Sequence, residues 1–324
     1  MQIINFKTYG IQKASALYQL WNDEYGFIFP ISSELFLRNT LSTPGFLDEA
    51  SYVAIDNHEA VGFITTKIYQ HHIPAPAYDG IGWINLIIVK KEYRNKGIGS
   101  TLLEMATKQL TDLGVTKIYL GKDYQNFFPG LPKDLKSYVE WFQKRGFDAL
   151  YETNDLINHH LLNTNLSFLP YHNQKEYYLH LLKKEEVSLL RQFFQENFPG
   201  RWLVEYEDYL TNGGTGLEFI VCTDTNKKIV GFCRIGTFKT PINQSAYSLT
   251  WRNRFNQLGG IGPLGVNKDH RHNNIAYNLI VYALNELKQR GCDEAIIDWT
   301  NLLDFYRLFG FELWKTYIYF EKRI

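Results

Sequence analysis

Cysteine, net charge and long apolar runs are all scarce in this sequence, and each scarcity excludes a class of protein. The three cysteines, Cys222, Cys233 and Cys292, are too few and too scattered for a disulfide framework or a zinc site. Basic and acidic residues number 34 each, and this balance argues against binding along nucleic acid. No apolar run reaches the roughly 20 residues that cross a bilayer, and the N-terminal residues lack the pattern of a secretory signal. We therefore expect a cytoplasmic protein that binds neither membrane nor nucleic acid.

Histidine occurs in two adjacent pairs, His71-His72 and His159-His160. Neighbouring side chains on a strand point to opposite faces, which is a poor spacing for metal ligands. We expect no metal site.

The chain contains an internal repeat. Val89 and Arg94 have counterparts 177 residues further on, Val266 and Arg271. A period of this length indicates one domain used twice rather than a solenoid. We predict an N-terminal domain over residues 1–157, a polar linker over 158–174 and a C-terminal domain over 175–324.

Each half alternates short strands with amphipathic helices, and tight turns join several neighbouring strands. The clearest helix follows residue 97 and has an apolar face of Leu102, Leu103, Ala106, Leu110 and Leu113. This order predicts an α/β fold in which each domain is a mixed, mostly antiparallel sheet flanked by helices.

A glycine-containing loop lies between a buried strand and this helix. It reads Arg94-Asn95-Lys96-Gly97-Ile98-Gly99, and Ser100 follows it. The first turn of a helix has unpaired N–H groups and a partial positive charge, and glycine lets an anion approach them closely. Arg94 and Lys96 add formal charge. The loop is therefore a candidate diphosphate site, with a ligand-free glycine turn as the alternative.

Two other phosphate-binding motifs do not fit this loop. A dinucleotide fingerprint needs a third glycine, where this chain has Leu102. A P-loop needs Gly-Lys followed by serine or threonine, and no such triplet follows here.

The pattern Arg-x-x-Gly-x-Gly after a strand, with Gly146-Phe147 closing a later helix, resembles the signature of the GCN5-related N-acetyltransferase (GNAT) superfamily. The second repeat has part of this signature and ends its later helix at Gly310-Phe311. The resemblance covers nearly the whole chain as a tandem pair. It implies that the chain binds acetyl-CoA, with the pyrophosphate on the loop amides and the pantetheine arm along a splayed strand.

The resemblance implies coenzyme-binding residues in both repeats. In the first repeat they are the strand Ile87, Ile88 and Val89 and the loop residues Arg94, Asn95, Lys96, Gly97, Ile98, Gly99 and Ser100. In the second repeat they are Leu264, Val266, Arg271, Asn274, Ala276 and Asn301. Asn274 stands where the first repeat has Gly97, and its side chain would crowd the phosphates. We therefore expect acetyl-CoA to bind best to the first repeat.

The catalytic residues implied by the resemblance lie in the second repeat. Many family members have a tyrosine at the position of Tyr306, whose hydroxyl protonates the departing CoA thiolate, whereas the first repeat has Phe142 there. Direct attack by an amine also needs a base, and Asp298 and Asp304 are candidates by position. A solvated or capping role is the alternative for each. The sequence thus predicts Tyr306 and Asp298 as the catalytic pair if the second repeat reacts.

These observations predict an acetyltransferase that moves an acetyl group from acetyl-CoA to a primary amine of a small molecule, with a protein N-terminus or lysine as the alternative acceptor. The resemblance implies that the aromatic stretch Trp202–Tyr209, next to Arg201, borders the acceptor cleft, and the alternative is packing with a solvated rim. The alternative function is an acetyl-CoA-binding protein without catalysis, because each repeat lacks part of the signature. The sequence leaves the acceptor, the reacting half and the oligomeric state open.

Overall fold

The structure is a computed structural model that describes residues 1–172 and 176–324. Contacts between Cα atoms divide the chain into two compact units. Unit 1 contains Met1–Thr153 and Thr316–Ile324, and unit 2 contains Asn154–Lys315. The predicted boundary between residues 174 and 175 falls outside the described residues.

Unit 1 is a mixed sheet with helices packed on it. Its strands follow the order β1-β2-β3-β4-β5-β13, and β6 pairs with β13. The β4–β5 pair is parallel, and the pairs β1–β2, β2–β3, β3–β4 and β5–β13 are antiparallel. The elements are β1 (Gln2–Asn5), α1 (Phe6–Tyr9), α2 (Ala14–Tyr25), α3 (Ser33–Asn39), β2 (Tyr52–Asp56), β3 (Glu59–Ile68), β4 (Ile81–Val89), α4 (Ile98–Asp112), β5 (Lys117–Leu120), β6 (Leu131–Pro132), α5 (Lys136–Gln143), the first part of β7 (Asp148–Asn158) and the last part of β13 (Glu312–Arg323).

Unit 2 repeats this plan. Its strands follow the order β7-β12-β11-β10-β9-β8, with a parallel β11–β12 pair among antiparallel neighbours. The further elements are β8 (Tyr178–Leu181), α6 (Val187–Asn197), α7 (Arg201–Thr211), β9 (Phe219–Thr223), β10 (Ile229–Thr237), β11 (Leu258–Val266), α8 (Ile275–Gln289), β12 (Glu294–Thr300) and α9 (Leu303–Arg307). The fold class predicted from the sequence is confirmed.

The long helix after the parallel strand forms in each unit because its apolar positions recur every three or four residues. In unit 1, Leu102, Leu103, Ala106 and Leu110 of α4 are buried against the sheet. Gly114 then takes a left-handed φ of +82° just beyond the helix, which favours glycine. This packing fixes the start of α4 at the carboxyl end of β4.

In each unit, one pair of neighbouring strands joins segments that are far apart in sequence. In unit 1 the end of β13 pairs with β5, where Glu321 stands opposite Tyr119. In unit 2 the end of β7 pairs with β12, where Ile157 stands opposite Ile296. The chain therefore contributes its last strand to the first unit.

Within the described residues, no helix combines the length and the apolar character needed to cross a membrane. The same part of the chain brings together no group of three or more potential metal-ligating side chains.

Candidate functional site

A cavity of about 430 Å³ lies in unit 1 where β4 ends and α4 begins, and we call it the loop cavity. Most of the first-repeat residues predicted to bind the coenzyme line it, whereas Lys96 lies outside the lining and extends over the Tyr93 ring, 5.0 Å from its centroid. The predicted residues in the lining are Ile87, Ile88, Val89, Arg94, Asn95, Gly97, Ile98, Gly99 and Ser100.

Gly97 keeps this cavity open at the start of α4. Its φ is +84°, and a Cβ built on it would meet no other heavy atom within 4 Å. The first helical hydrogen bond runs from the Thr101 N–H to the Gly97 carbonyl, so the N–H groups of residues 98–100 precede the helical ladder. Unpaired amides, the helix dipole and open space therefore coincide, which suits an anion.

Two arginines border the loop cavity and have different surroundings. The Arg94 side chain donates to the Val89 carbonyl at 2.9 Å and pairs with Glu24, so it braces the loop. The Arg145 guanidinium stacks on the Trp141 ring at 3.9 Å and donates to Ser100 Oγ at 2.7 Å. Arg145 therefore places its positive charge beside the first turn of α4.

Sequence reasoning missed Arg145, Trp141 and Tyr138, which line the loop cavity from α5 and its C-terminal end. The spacing Tyr138, Trp141, Arg145 at three and four residues was the available signal, since such positions share one helix face. Only the packing of α5 shows that this face is turned to the loop.

A smaller, apolar cavity of about 60 Å³ adjoins the loop cavity, and we call it the inner cavity. Ile87 and Tyr138 line both cavities. The Tyr25 hydroxyl donates to the Tyr138 hydroxyl at 2.6 Å, and burial raises the pKa of Tyr25 above its ordinary range. The other walls of the inner cavity include Trp21, Asn85, Leu86, Phe128, Leu135 and Phe142.

The predicted catalytic residues of the second repeat, Asp298 and Tyr306, line one cavity of about 430 Å³ in unit 2. Leu264 borders it as well, and α7 contributes Arg201 and Trp202. We call it the second cavity. Asp304, the other candidate base, lies outside the lining with an exposed side chain paired to Arg307.

The charged groups of the second cavity influence the pKa of Asp298. Burial raises the pKa of Asp298 to about 6, an effect that Arg201 partly offsets and Glu205 reinforces. Arg201 donates to Glu205 at 2.6 Å and stacks over Trp299 at 3.8 Å. Burial also raises the pKa of Tyr306 above its ordinary value. A carboxyl with a pKa of about 6 and a protonated phenol thus share one cavity.

The helix start in unit 2 is covered by the chain itself. Asn274 has a left-handed φ of +60°, and its Nδ2 donates to the Pro170 carbonyl at 2.8 Å. The Asn278 side chain accepts from the Leu169 N–H at 2.8 Å and donates to the Leu169 carbonyl at 2.9 Å. Residues 169–170 therefore cross the first turn of α8, where unit 1 has open space.

The remaining predicted residues of the second repeat do not line the second cavity. Arg271 donates to the Val266 carbonyl at 3.3 Å, as Arg94 does to Val89. Asn301 Oδ1 accepts from the Asn154 side chain at 3.3 Å. The residues outside the second-cavity lining are Val266, Arg271, Asn274, Ala276 and Asn301.

Comparison with known proteins agrees with this tandem arrangement. The model of the acetyltransferase (GNAT) family matches residues 14–128 and 187–311, one match in each repeat. The chain belongs to this GNAT family. The resemblance seen in the sequence is thereby confirmed, including its tandem form. Comparison with curated protein sequences finds no match.

Several solved structures share the fold of this GNAT protein. A GCN5-related glucosamine N-acetyltransferase region of a fungal multi-domain GH3 β-N-acetylglucosaminidase is 24% identical with a TM-score of 0.84, over 99% of this chain and 38% of that chain. This GNAT protein thus spans less than two fifths of that fungal chain. A GCN5-related N-acetyltransferase from Sphaerobacter thermophilus is 14% identical, with a TM-score of 0.67 over 96% and 93% of the two chains. A tandem GNAT protein from the clavulanic acid biosynthesis pathway is 11% identical, with a TM-score of 0.67 over 99% and 98%.

Proposed function

We propose that this GNAT protein transfers the acetyl group of acetyl-CoA to the primary amine of a small molecule, with acetyl-CoA bound in the loop cavity of unit 1. The observation that carries the proposal is the open space beside Gly97 at the start of α4. A Cβ there would project into the cavity that an anion would fill. The corresponding space in unit 2 holds the Asn274 side chain.

The residues around the loop cavity fit the two chemical parts of acetyl-CoA. The amides of residues 98–100 and the Arg145 guanidinium suit the pyrophosphate. The end of β4 beside the cavity, Ile87–Val89, suits the amides of the pantetheine arm. The coenzyme supplies an activated acetyl thioester, and the inner cavity continues along the same strand.

Tyr138 is the group in unit 1 that suits proton delivery. In the reaction a nitrogen–carbon bond forms and the carbon–sulfur bond breaks, while the amine nitrogen loses one proton and the sulfur acquires one. Because Tyr25 donates to Tyr138, the Tyr138 hydroxyl keeps its own proton for another acceptor. Tyr138 lies one helical turn before Phe142, so it supplies the phenol that Phe142 lacks.

The pair Tyr306 and Asp298 stays our proposal for a reaction in unit 2. Its support is their place in one cavity together with the pKa of about 6 for Asp298, which suits a base at neutral pH. Tyr306→Phe tests it directly. Loss of turnover with unchanged coenzyme affinity would locate the reaction in unit 2, and unchanged turnover would remove the acid role.

Calorimetry with acetyl-CoA, combined with an assay of amine-dependent CoA release, tests the main proposal. We expect one acetyl-CoA per chain, lost in Gly97→Trp and kept in Gly114→Trp. Gly114 is a matched control because its φ is +82° and its Cβ position is also open, but it lies beyond the other end of α4. Unchanged binding in Gly97→Trp would overturn the coenzyme site. Binding without CoA release for a panel of amines would instead support the alternative of a non-catalytic acetyl-CoA-binding protein.

A further inference from the structure

Asn85 occupies an irregular point in β4 at the wall of the inner cavity. The register between β3 and β4 shifts there, since Thr65 pairs with Leu86 and Thr66 pairs with Ile84. Asn85 is thus the extra residue of a β-bulge, a device that redirects a side chain. Its side chain is buried and lines the inner cavity.

A buried ion pair beside the bulge contacts the Asn85 amide. Asp123 accepts from Lys67 Nζ at 2.7 Å and from the Gln125 N–H at 3.1 Å. Its other oxygen accepts from Asn85 Nδ2 at 2.5 Å. Lys67 also donates to the Gln125 carbonyl at 2.8 Å, and the side chains of Lys67 and Asp123 are fully buried.

This contact determines which way the Asn85 amide faces. A carboxylate paired with an ammonium group can only accept hydrogen bonds, so it selects the NH₂ end of the amide. The Oδ1 end is therefore turned away from Asp123. Within the described residues, Asn85 Oδ1 is buried and has no hydrogen-bond partner. Buried acceptors are nearly always satisfied in native proteins, so this atom points to a missing donor.

We propose that Asn85 Oδ1 accepts a hydrogen bond from the attacking primary amine, and that Asp123 and Lys67 act as positioning residues that hold the amide in this orientation. The inference rests on the proposed function in unit 1. No carboxylate or imidazole occurs among the described residues that line the inner cavity. The donor admitted there is therefore an uncharged amine rather than an ammonium ion.

The position along the strand agrees with this assignment. Asn85 lies four residues before Val89, which is about 13 Å along an extended strand. Ile87 and Tyr138 border both cavities between these points. An amine held by Asn85 would thus meet the thioester end of acetyl-CoA rather than its phosphates, near the Tyr138 hydroxyl.

Steady-state kinetics of Asn85→Ala and Asp123→Asn test the proposal, with the panel amine that gives the fastest CoA release as the probe. We expect kcat/KM for the amine to fall at least tenfold in Asn85→Ala, while the Kd of acetyl-CoA stays within twofold. Asp123→Asn should also lower kcat/KM for the amine, because an amide no longer selects one end of Asn85.

Asn39→Ala is the matched control. Asn39 is also buried in unit 1, donates through Nδ2 to the Asn126 carbonyl at 2.8 Å and has an Oδ1 without a partner in the described residues. It lines neither cavity. Its amine kinetics should match those of the parent.

If kcat/KM for the amine in Asn85→Ala stays within twofold of the parent while coenzyme still binds in unit 1, the role of Asn85 is overturned and the proposed function is not. Equal losses in Asn85→Ala and Asn39→Ala would reduce it to a structural role. Unchanged coenzyme binding in Gly97→Trp, or no CoA release with any amine, would instead overturn the proposed function and this inference with it.

Discussion

Asn274 has in unit 2 the place that Gly97 has in unit 1. Both precede the long helix with a left-handed backbone, at φ values of +60° and +84°. The difference lies in what occupies the space beside them. Gly97 faces open space, whereas the Asn274 side chain extends to the Pro170 carbonyl at 2.8 Å. The two repeats thus share one backbone geometry, but the space beside it is open in unit 1 and filled by a side chain in unit 2.

This relationship predicts the effect of Gly97→Asn. Asparagine tolerates the left-handed region better than most residues, so the fold should hold. Its side chain would occupy the space for the phosphates, and we expect the Kd of acetyl-CoA to rise about tenfold or more. Calorimetry measures the change, and Gly114→Asn supplies the control for strain. An unchanged Kd would show that the phosphates lie elsewhere.

The charge beside the loop predicts the effect of Arg145→Gln. A charge-assisted hydrogen bond to a phosphate is stronger than a neutral one, so its loss should raise the Kd of acetyl-CoA by about tenfold. The effect should shrink at high salt, since ions screen the guanidinium. Arg323→Gln is the control, because Arg323 is exposed in the same unit and contacts Glu321. Equal affinities in the two variants would contradict the role of Arg145.

The sequence predicts the elements around the loop well because their signals are local. Apolar periodicity predicts a helix directly after residue 97, and the structure has α4 at Ile98–Asp112. The glycine-rich loop is equally local, since a left-handed backbone and a helix start are encoded by adjacent residues. The mixed sheet follows from the order of these elements.

The features that the sequence does not predict depend on contacts between residues that are far apart in sequence. The sequence predicts that the first domain runs to residue 157, yet Asn154–Asn158 forms the end of β7 and pairs with β12 in unit 2. Nothing in the local sequence distinguishes Tyr138 from other helix residues. Its hydroxyl contacts Tyr25, which lies more than a hundred positions earlier. The segment that covers the start of α8 likewise depends on the hydrogen bond between Asn274 and the Pro170 carbonyl. The apolar periodicity of a sequence does not encode such long-range contacts.

The three cysteines should be unreactive in the native protein. All three are buried, and burial raises the pKa of Cys222 to about 12 and that of Cys292 to about 11. Because the thiolate is the reactive form, a bulky disulfide reagent at about pH 8 should label almost no thiol per chain. The same assay in denaturant should count all three. Rapid native labelling would contradict their burial.

Asp298 predicts an unusual dependence of stability on pH. Its pKa is about 6 in the folded protein against an ordinary value of 3.8, so between these values the folded state binds more protons than the unfolded state. The free energy of unfolding therefore falls as pH rises from about 4 to about 6, and the loss is complete above the folded pKa. Two pKa units correspond to about 3 kcal/mol.

Asp298→Asn should remove this loss, because the amide is neutral at every pH in the range. We expect urea unfolding to show the variant and the parent equally stable near pH 4, and the variant more stable by up to about 3 kcal/mol at about pH 7.5. Asp304→Asn is the control, since Asp304 is exposed. The difference in free energy of unfolding between this variant and the parent should not change over this pH range. A gain in stability accompanied by lost turnover would show that Asp298 is retained for its chemistry at a cost in stability. A variant that is less stable than the parent at about pH 7.5 would show instead that the Asp298 carboxylate stabilises the fold.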